Sequence, residues 1–293
     1  MFNIYSSAKY ISSGLSIKWM IIAFVFAQIE PVLAQEDTTM NAKVYQFNRK
    51  VEIPINLLHH SVNYFSFQLL QRKPVIEETD IMALNVNDVW FFDRHAATQK
   101  YSAKTRENAI KASDVAMNIM LALPFSLMLD KEIQEDALDI VFLYLETQAV
   151  NLSFSYAGPL LSYRARPFVY FPEIPMDEKL KMGSEDSFFS GHTSSTAAAS
   201  FFMAKVYTDY HPETKGKKWL FYSAALIPPA LVGYFRYKGL KHFPTDVLTG
   251  IAVGAAFGIL VPHFHKRMKV KNQNLSIVPY AGASSGLLVQ LKF

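Results

Sequence analysis

The chain contains no cysteine. Disulfides and thiolate metal centres are therefore excluded, and an oxidising compartment is permitted without being demanded. No charge of one sign is in large excess either: 29 Lys and Arg face 25 Asp and Glu, a net +4 over 293 residues. Nothing forms the basic stripe that tracks a nucleic acid backbone, so no nucleic acid is expected as a partner. Long uninterrupted apolar runs are scarce as well. Several candidate spans sit near the lower length limit of about 17 residues, and they carry polar groups such as Asp114, Asn118, Glu146 and Lys205.

What the chain does have is 51% hydrophobic residues and a mean hydropathy of +0.10, between soluble and polytopic membrane proteins. Its length suits one large domain or two small ones. Apolar segments recur at residues 113–129, 137–157, 193–208, 219–235 and 246–262, and the fourth has no charge. Basic groups sort to two places, Lys215, Lys217 and Lys218 in one loop and Lys266, Arg267, Lys269 and Lys271 after the last segment. The positive-inside rule assigns both to the cytoplasm. Counted from an exported residue 35, five crossings put these clusters inside and the loops around Arg164, Arg236 and His242 outside.

The first 34 residues are expected to be a signal peptide or N-terminal anchor. Lys9 and Lys18 precede the apolar run Trp19–Ala27, and Val32-Leu33-Ala34 fits a small-residue cleavage site. Residues 35–112 form an exported segment with a helical candidate at 55–71. His59, His60, Asn63, Ser66 and Gln68 make that candidate a poor span, so an amphipathic helix on the membrane or against the core is expected. Trp90-Phe91-Phe92-Asp93-Arg94 suits a headgroup interface or an ordinary hydrophobic cluster. Residues 113–271 form the main helical bundle, and 272–293 contain two strand patterns around a turn, a short C-terminal β-hairpin.

Three motifs carry chemistry. Arg236, His242 and Asp246 form Arg-x5-His-x3-Asp; Ser190-Gly191-His192 stands upstream, and Arg164-Ala165-Arg166-Pro167 precedes both. Pro244 suits the first turn of a helix, because its missing N–H has no partner there in any case. His242 then lies just ahead of that helix with Asp246 one turn on. Asp246 is expected to accept a hydrogen bond from one imidazole nitrogen and leave the other free as a nucleophile. Ser190-Gly191-His192 leads into an Ala/Ser/Thr-rich helix, whose N-terminal N–H groups and positive dipole end suit a phosphate. Arg166 and Arg236 add forked donors matched to phosphate oxygens.

The order and spacing of these motifs resemble the type 2 phosphatidic acid phosphatase (PAP2) superfamily over roughly residues 113–262. Its signature is Lys-x6-Arg-Pro, then Pro-Ser-Gly-His, then Ser-Arg-x5-His-x3-Asp. Three positions depart: Pro159 stands at the lysine, Phe189 before Ser190 and Phe235 before Arg236. The resemblance implies an all-α, membrane-embedded bundle of about five to six helices in the PAP2/haloperoxidase-like arrangement. It implies that His242 attacks phosphorus, that Asp246 orients it, and that His192 protonates the leaving oxygen and then activates water. Arg166, Arg236, Ser190 and Gly191 would hold the phosphate, with neither a metal nor any other cofactor.

The partners implied are membrane lipid and a lipid phosphate or pyrophosphate substrate, met at a periplasm-facing site in a bacterial inner membrane. The outer membrane and the soluble periplasm are alternatives. A soluble acid phosphatase, a vanadate-type haloperoxidase and a non-catalytic lipid-phosphate binder share the framework. Arg164 is a candidate stand-in for the missing lysine, since an extended Arg164–Arg166 stretch points both side chains the same way.

The remaining histidines, His59, His60, His95, His211, His263 and His265, are expected in surface or interfacial roles. His263-Phe264-His265 has a metal-like spacing, but the basic residues that follow it would repel a cation.

Overall fold

The computed structural model describes residues 43–266 and a strand pair near the C-terminus. The expected leader, its cleavage point at Ala34, and Arg267, Lys269 and Lys271 fall outside the described residues. Six long helices make up the body: α1 Arg49–Gln71, α2 Ala103–Ala122, α3 Ala137–Leu161, α4 Gly191–Tyr210, α5 Lys218–Lys238 and α6 Pro244–His265. Tight 3-10 turns prolong α2 to Leu129. At the C-terminus β1, Leu275–Ala281, pairs antiparallel with β2, Ser285–Leu291, with Leu275 opposite Leu291.

The helices alternate between two ends of the bundle, named here for the ends of α6. At the Pro244 end, Lys73 just beyond α1 donates to the carbonyls of Pro159 (2.9 Å) and Ser162 (3.1 Å) at the end of α3. At the His265 end, Arg49 at the start of α1 holds Asp139 at the start of α3, 2.7 Å away. Lys266 likewise holds Asp209 near the end of α4, 2.7 Å away. At 22 residues, α6 is about 33 Å long, close to the ~30 Å hydrocarbon core of a bilayer.

Helix α4 is the central post. Thr193, Ser194, Thr196, Ala197, Ala198 and Ala199 are fully buried in it. Small side chains there let α6 come close, and Gly250, Gly254 and Gly258, four apart, line the facing edge of α6. A Cβ on Gly254 would lie 2.0 Å from the Ser194 carbonyl oxygen, so only hydrogen fits. This contact fixes the starts of α4 and α6 beside each other. Toward the His265 end the core is larger and apolar, with Ile133, Ile140, Leu143, Phe202, Val206 and Val261 packed together.

Helix α1 was expected to be an amphipathic helix on the membrane or against the core. It lies against the core, parallel to α3 along the whole bundle. Its buried residues are Glu52, Asn56, His59 and Asn63, while Leu57, Leu58, Tyr64 and Phe65 are each more than half exposed. Asn63 donates to the Ala149 carbonyl (2.8 Å) and accepts from Ser153 (2.8 Å), so the polar face is the packed face. Such an inverted helix makes sense where the surroundings are more apolar than the interior.

The same surface continues over the rest of the bundle. Trp219, Ile227, Leu231 and Tyr234 on α5, Val115 and Ile119 on α2, and Leu248 and Phe264 on α6 are all exposed. An apolar surface of this extent marks contact with a membrane or a partner. Among the described residues, Ala103–Leu129 and Pro244–His265 are long and apolar enough to cross a membrane.

Candidate active site

The loops at the Pro244 end bring the three motifs together. Pro244 is the first residue of α6, as its ring favours, and the Phe243 N–H donates to Asp246 Oδ2 (2.8 Å), closing the first turn. His242 is thereby held at the helix entrance, almost fully buried.

The expected Asp246–His242 hydrogen bond is absent, with 4.0 Å between Asp246 Oδ2 and His242 Nδ1. That nitrogen instead donates to the Ser187 backbone carbonyl at 2.7 Å. Asp246 accepts from the Ser187 hydroxyl at 2.6 Å. The carboxylate thus fixes Ser187, and the Ser187 carbonyl fixes the imidazole. The proton is kept on Nδ1 and the lone pair on Nε2, so Asp246 orients His242 through one intermediary.

Arg164 also differs from its expected position. Its guanidinium donates to Asp246 Oδ1, to Thr245 Oγ1 (3.0 Å) and to Asp93 Oδ2 (2.6 Å), and it stacks over the Phe243 ring. Its fork is committed to two buried carboxylates behind His242, not to a phosphate. Asp93, read in the sequence as part of a headgroup anchor, also accepts from the Thr245 N–H (3.0 Å) and so ties the short helix Phe91–Thr98 to the site.

Arg166 and Arg236 do converge. Arg236 is buried and Arg166 partly so, and each has a buried Nε–H with no hydrogen-bond partner. Arg166 donates to the Asp186 carbonyl (3.2 Å), and Arg236 reaches Ser113 and Asp114 at a long 3.4 Å. Burial pushes the His242 imidazole well below its ordinary value, and the charges of Arg166 and Arg236 push the same way. The nucleophilic neutral form is therefore favoured down into acid. Burial likewise brings the Lys241 ammonium down to about 8, with Arg166 and Arg236 repelling it further. Lys241 rests over the Phe168 ring, 5.3 Å from its centre, and is a third cation facing this cluster.

Ser190 is fully buried, exchanges a hydroxyl hydrogen bond with Thr193 (2.8 Å), and gives its N–H to the Asp246 carbonyl (3.1 Å). It makes no side-chain cap on α4. The first-turn N–H groups from Gly191 onward are therefore left for an anion. Gly191 is the first residue of α4, and even an added Cβ would meet only Ser155, at 3.8 Å. His192 lies at the more open side, its Nε2 3.0 Å from Asp114 Oδ1.

Sequence reasoning missed Asp114 as a partner, although a charge inside an apolar helix is a signal of function. It also missed Ser187, which acts through a backbone carbonyl that no motif records, and Lys241, which precedes His242.

A helical bundle whose loops gather two histidines and three cations at a helix N-terminus is an arrangement suited to phosphoryl transfer. Residues 136–269 match the model of the PAP2 superfamily. A solved structure, the transmembrane PAP2-type phosphatidylglycerolphosphate phosphatase from Bacillus subtilis, is similar at 20% identity and a TM-score of 0.41, over 73% of this chain and 98% of that one. Comparison with curated proteins finds no match.

Proposed function

We propose that the protein hydrolyses lipid phosphates or pyrophosphates at the membrane surface through a phosphohistidine on His242. The observation that carries this is a neutral imidazole, fixed by the Ser187 carbonyl, beside two arginines whose buried Nε–H groups are unpaired. His242 Nε2 attacks phosphorus while the bond to the leaving oxygen breaks, and His192, which takes up its proton as the anionic substrate binds, gives that oxygen the proton. His192 then takes a proton from water, the water oxygen displaces His242, and inorganic phosphate leaves. Arg166, Arg236 and the N-terminus of α4 stabilise charge on the equatorial oxygens. The exposed Trp90, Phe91 and Phe92, on the turn that carries Asp93, support a lipid substrate whose headgroup enters beside an aromatic rim.

The test is phosphate release from a panel of lipid phosphates by purified protein. His242→Ala should abolish it, vanadate should inhibit it, and an initial rate that vanishes in EDTA while the fold persists would refute metal-free chemistry.

The site is proposed to face the exterior, with the basic loop 215–218 inside. Because α1 crosses with the others, residue 43 and His242 lie at opposite ends of the bundle. An exported residue 35 and an exterior site are thus alternatives in a spanning bundle. Single cysteines at the exposed positions Met182 and Gly216 separate them. An impermeant thiol reagent should label Met182→Cys in intact spheroplasts and Gly216→Cys only after lysis. The reverse pattern would turn the site to the cytoplasm.

A further inference from the structure

We propose that Glu52 of α1, Glu146 of α3 and His265 of α6 hold one divalent transition-metal ion of the zinc class. The site lies at the His265 end, remote from the phosphate pocket, and would clamp three helices together. Glu52, Glu146 and His265 are all buried, and their ligand atoms lie within 4.8 Å of one another. His265 Nε2 is 3.4 Å from Glu146 Oε2 and 3.8 Å from Glu52 Oε2. Those separations are too long for good hydrogen bonds. They are near the edge of a tetrahedron around zinc, which ligand bonds of about 2.0–2.2 Å set at roughly 3.3–3.6 Å.

The unpaired atoms point the same way. His265 Nε2, Glu52 Oε1, Glu146 Oε2 and Asn56 Oδ1 are each buried without a hydrogen-bond partner. Native interiors rarely leave such a group unsatisfied, and the three that belong to the convergent cluster would share one cation. His265 Nδ1 donates to the Val261 carbonyl at 2.9 Å, which leaves the lone pair of Nε2 for a metal. Asn56, one turn beyond Glu52, has its amide N–H on the Glu52 carbonyl (3.1 Å), with its own oxygen to spare.

Charge agrees. Two carboxylates and a neutral imidazole balance a divalent cation, whereas a single imidazolium would leave one buried negative charge uncompensated. Two described cations close by in the chain are engaged elsewhere. Arg49 holds Asp139, and Lys266 turns to Asp209, so the repulsion expected from the basic residues after His265 does not reach this pocket through Lys266. The Phe47 ring stacks on His265 at 6.2 Å and helps close the site. Mixed oxygen and nitrogen ligands without sulfur suit zinc or a neighbouring first-row ion.

The experiment is zinc titration of the full chain in detergent after chelator stripping, with bound metal counted per chain and thermal unfolding followed in parallel. Wild type and the pocket variant His242→Ala should each bind one tightly held equivalent and melt higher with it. His265→Gln and Glu52→Gln should each lose that equivalent, with affinity at least a hundredfold weaker, at unchanged helical circular dichroism. Should His265→Gln fail to fold, the near-isosteric Glu52→Gln decides alone. No tight equivalent in wild type would show that the three side chains only share protons, and equal zinc in wild type and Glu52→Gln would assign it to surface histidines; either result overturns the site.

Discussion

Replacing Lys241 by methionine should remove one of the three cations gathered at the site. Lys241 immediately precedes His242, rests on the Phe168 ring and makes no hydrogen bond to a carboxylate among the described residues, although the Glu178 charge acts on it. Methionine keeps the length and the contact with Phe168 while deleting the charge. By analogy with losing one oxyanion donor, kcat/KM should fall on the order of a hundredfold, about 2.7 kcal/mol of transition-state stabilisation. The pH dependence provides a sharper check. Burial and the two neighbouring arginines place the free-enzyme ammonium at about 8, so at pH 9 only about a tenth remains charged. The wild-type kcat/KM profile, which reports the free enzyme, should drop about tenfold between its plateau and pH 9. Bound phosphate favours the charged ammonium, so the kcat limb should lie higher. Lys241→Arg should push the kcat/KM limb upward by at least one unit, because a guanidinium stays protonated. The assay is phosphate release from a short-chain lipid phosphate in detergent between pH 6 and 10. Near wild-type turnover in Lys241→Met, or a basic limb that Lys241→Arg leaves in place, would refute the assignment.

Two further outcomes follow from the packing. Arg164→Lys should retain little activity, since a single ammonium cannot bridge both Asp93 and Asp246, and the loss should appear in kcat more than in KM; wild-type kcat would remove Arg164 from the positioning chain. Gly254→Val should destabilise the bundle by at least about 3 kcal/mol, measured by thermal or denaturant unfolding, because its side chain must displace the Ser194 carbonyl on α4.

The parts of this protein legible in its sequence are those encoded by local spacing. Arg-x5-His-x3-Asp, Ser-Gly-His and Arg-Pro each describe a helix entrance or a loop, and the apolar segments mark α2 to α6 to within a few residues at most ends. The α2 start is the exception: it lies ten residues before the apolar segment, because polar residues from Ala103 to Ala112 continue the helix beyond it. What was not legible depends on contacts between distant segments. Asp246 is four residues from His242, a spacing that suggests direct contact, yet the carboxylate turns to Ser187 and Arg164, 59 and 82 residues away. Arg164 fails as a phosphate ligand for the same reason, because nothing local shows that Asp93 waits for it.

Helix α1 shows why polarity alone leaves the placement of a helix open. Its histidines, asparagine and glutamine weigh against a span only if polar groups must face water. Here Glu52, Asn56, His59 and Asn63 recur at spacings of four, three and four, which places them on one face, and the apolar residues take the other. The amphipathic pattern was visible; its direction was not, because sequence periodicity gives a face without saying what lies against it. Ser153 and the Ala149 carbonyl on α3 supply the partners that make the polar face an interior one. With α1 counted, six helices run alternately between the two ends, so the described bundle begins and finishes at the same end, where Tyr45 bridges to Lys266. Residue 43 therefore lies at the end opposite His242, and His265 shares the end of residue 43. The histidine set aside for its basic neighbours becomes the group that joins the entering helix to the leaving one.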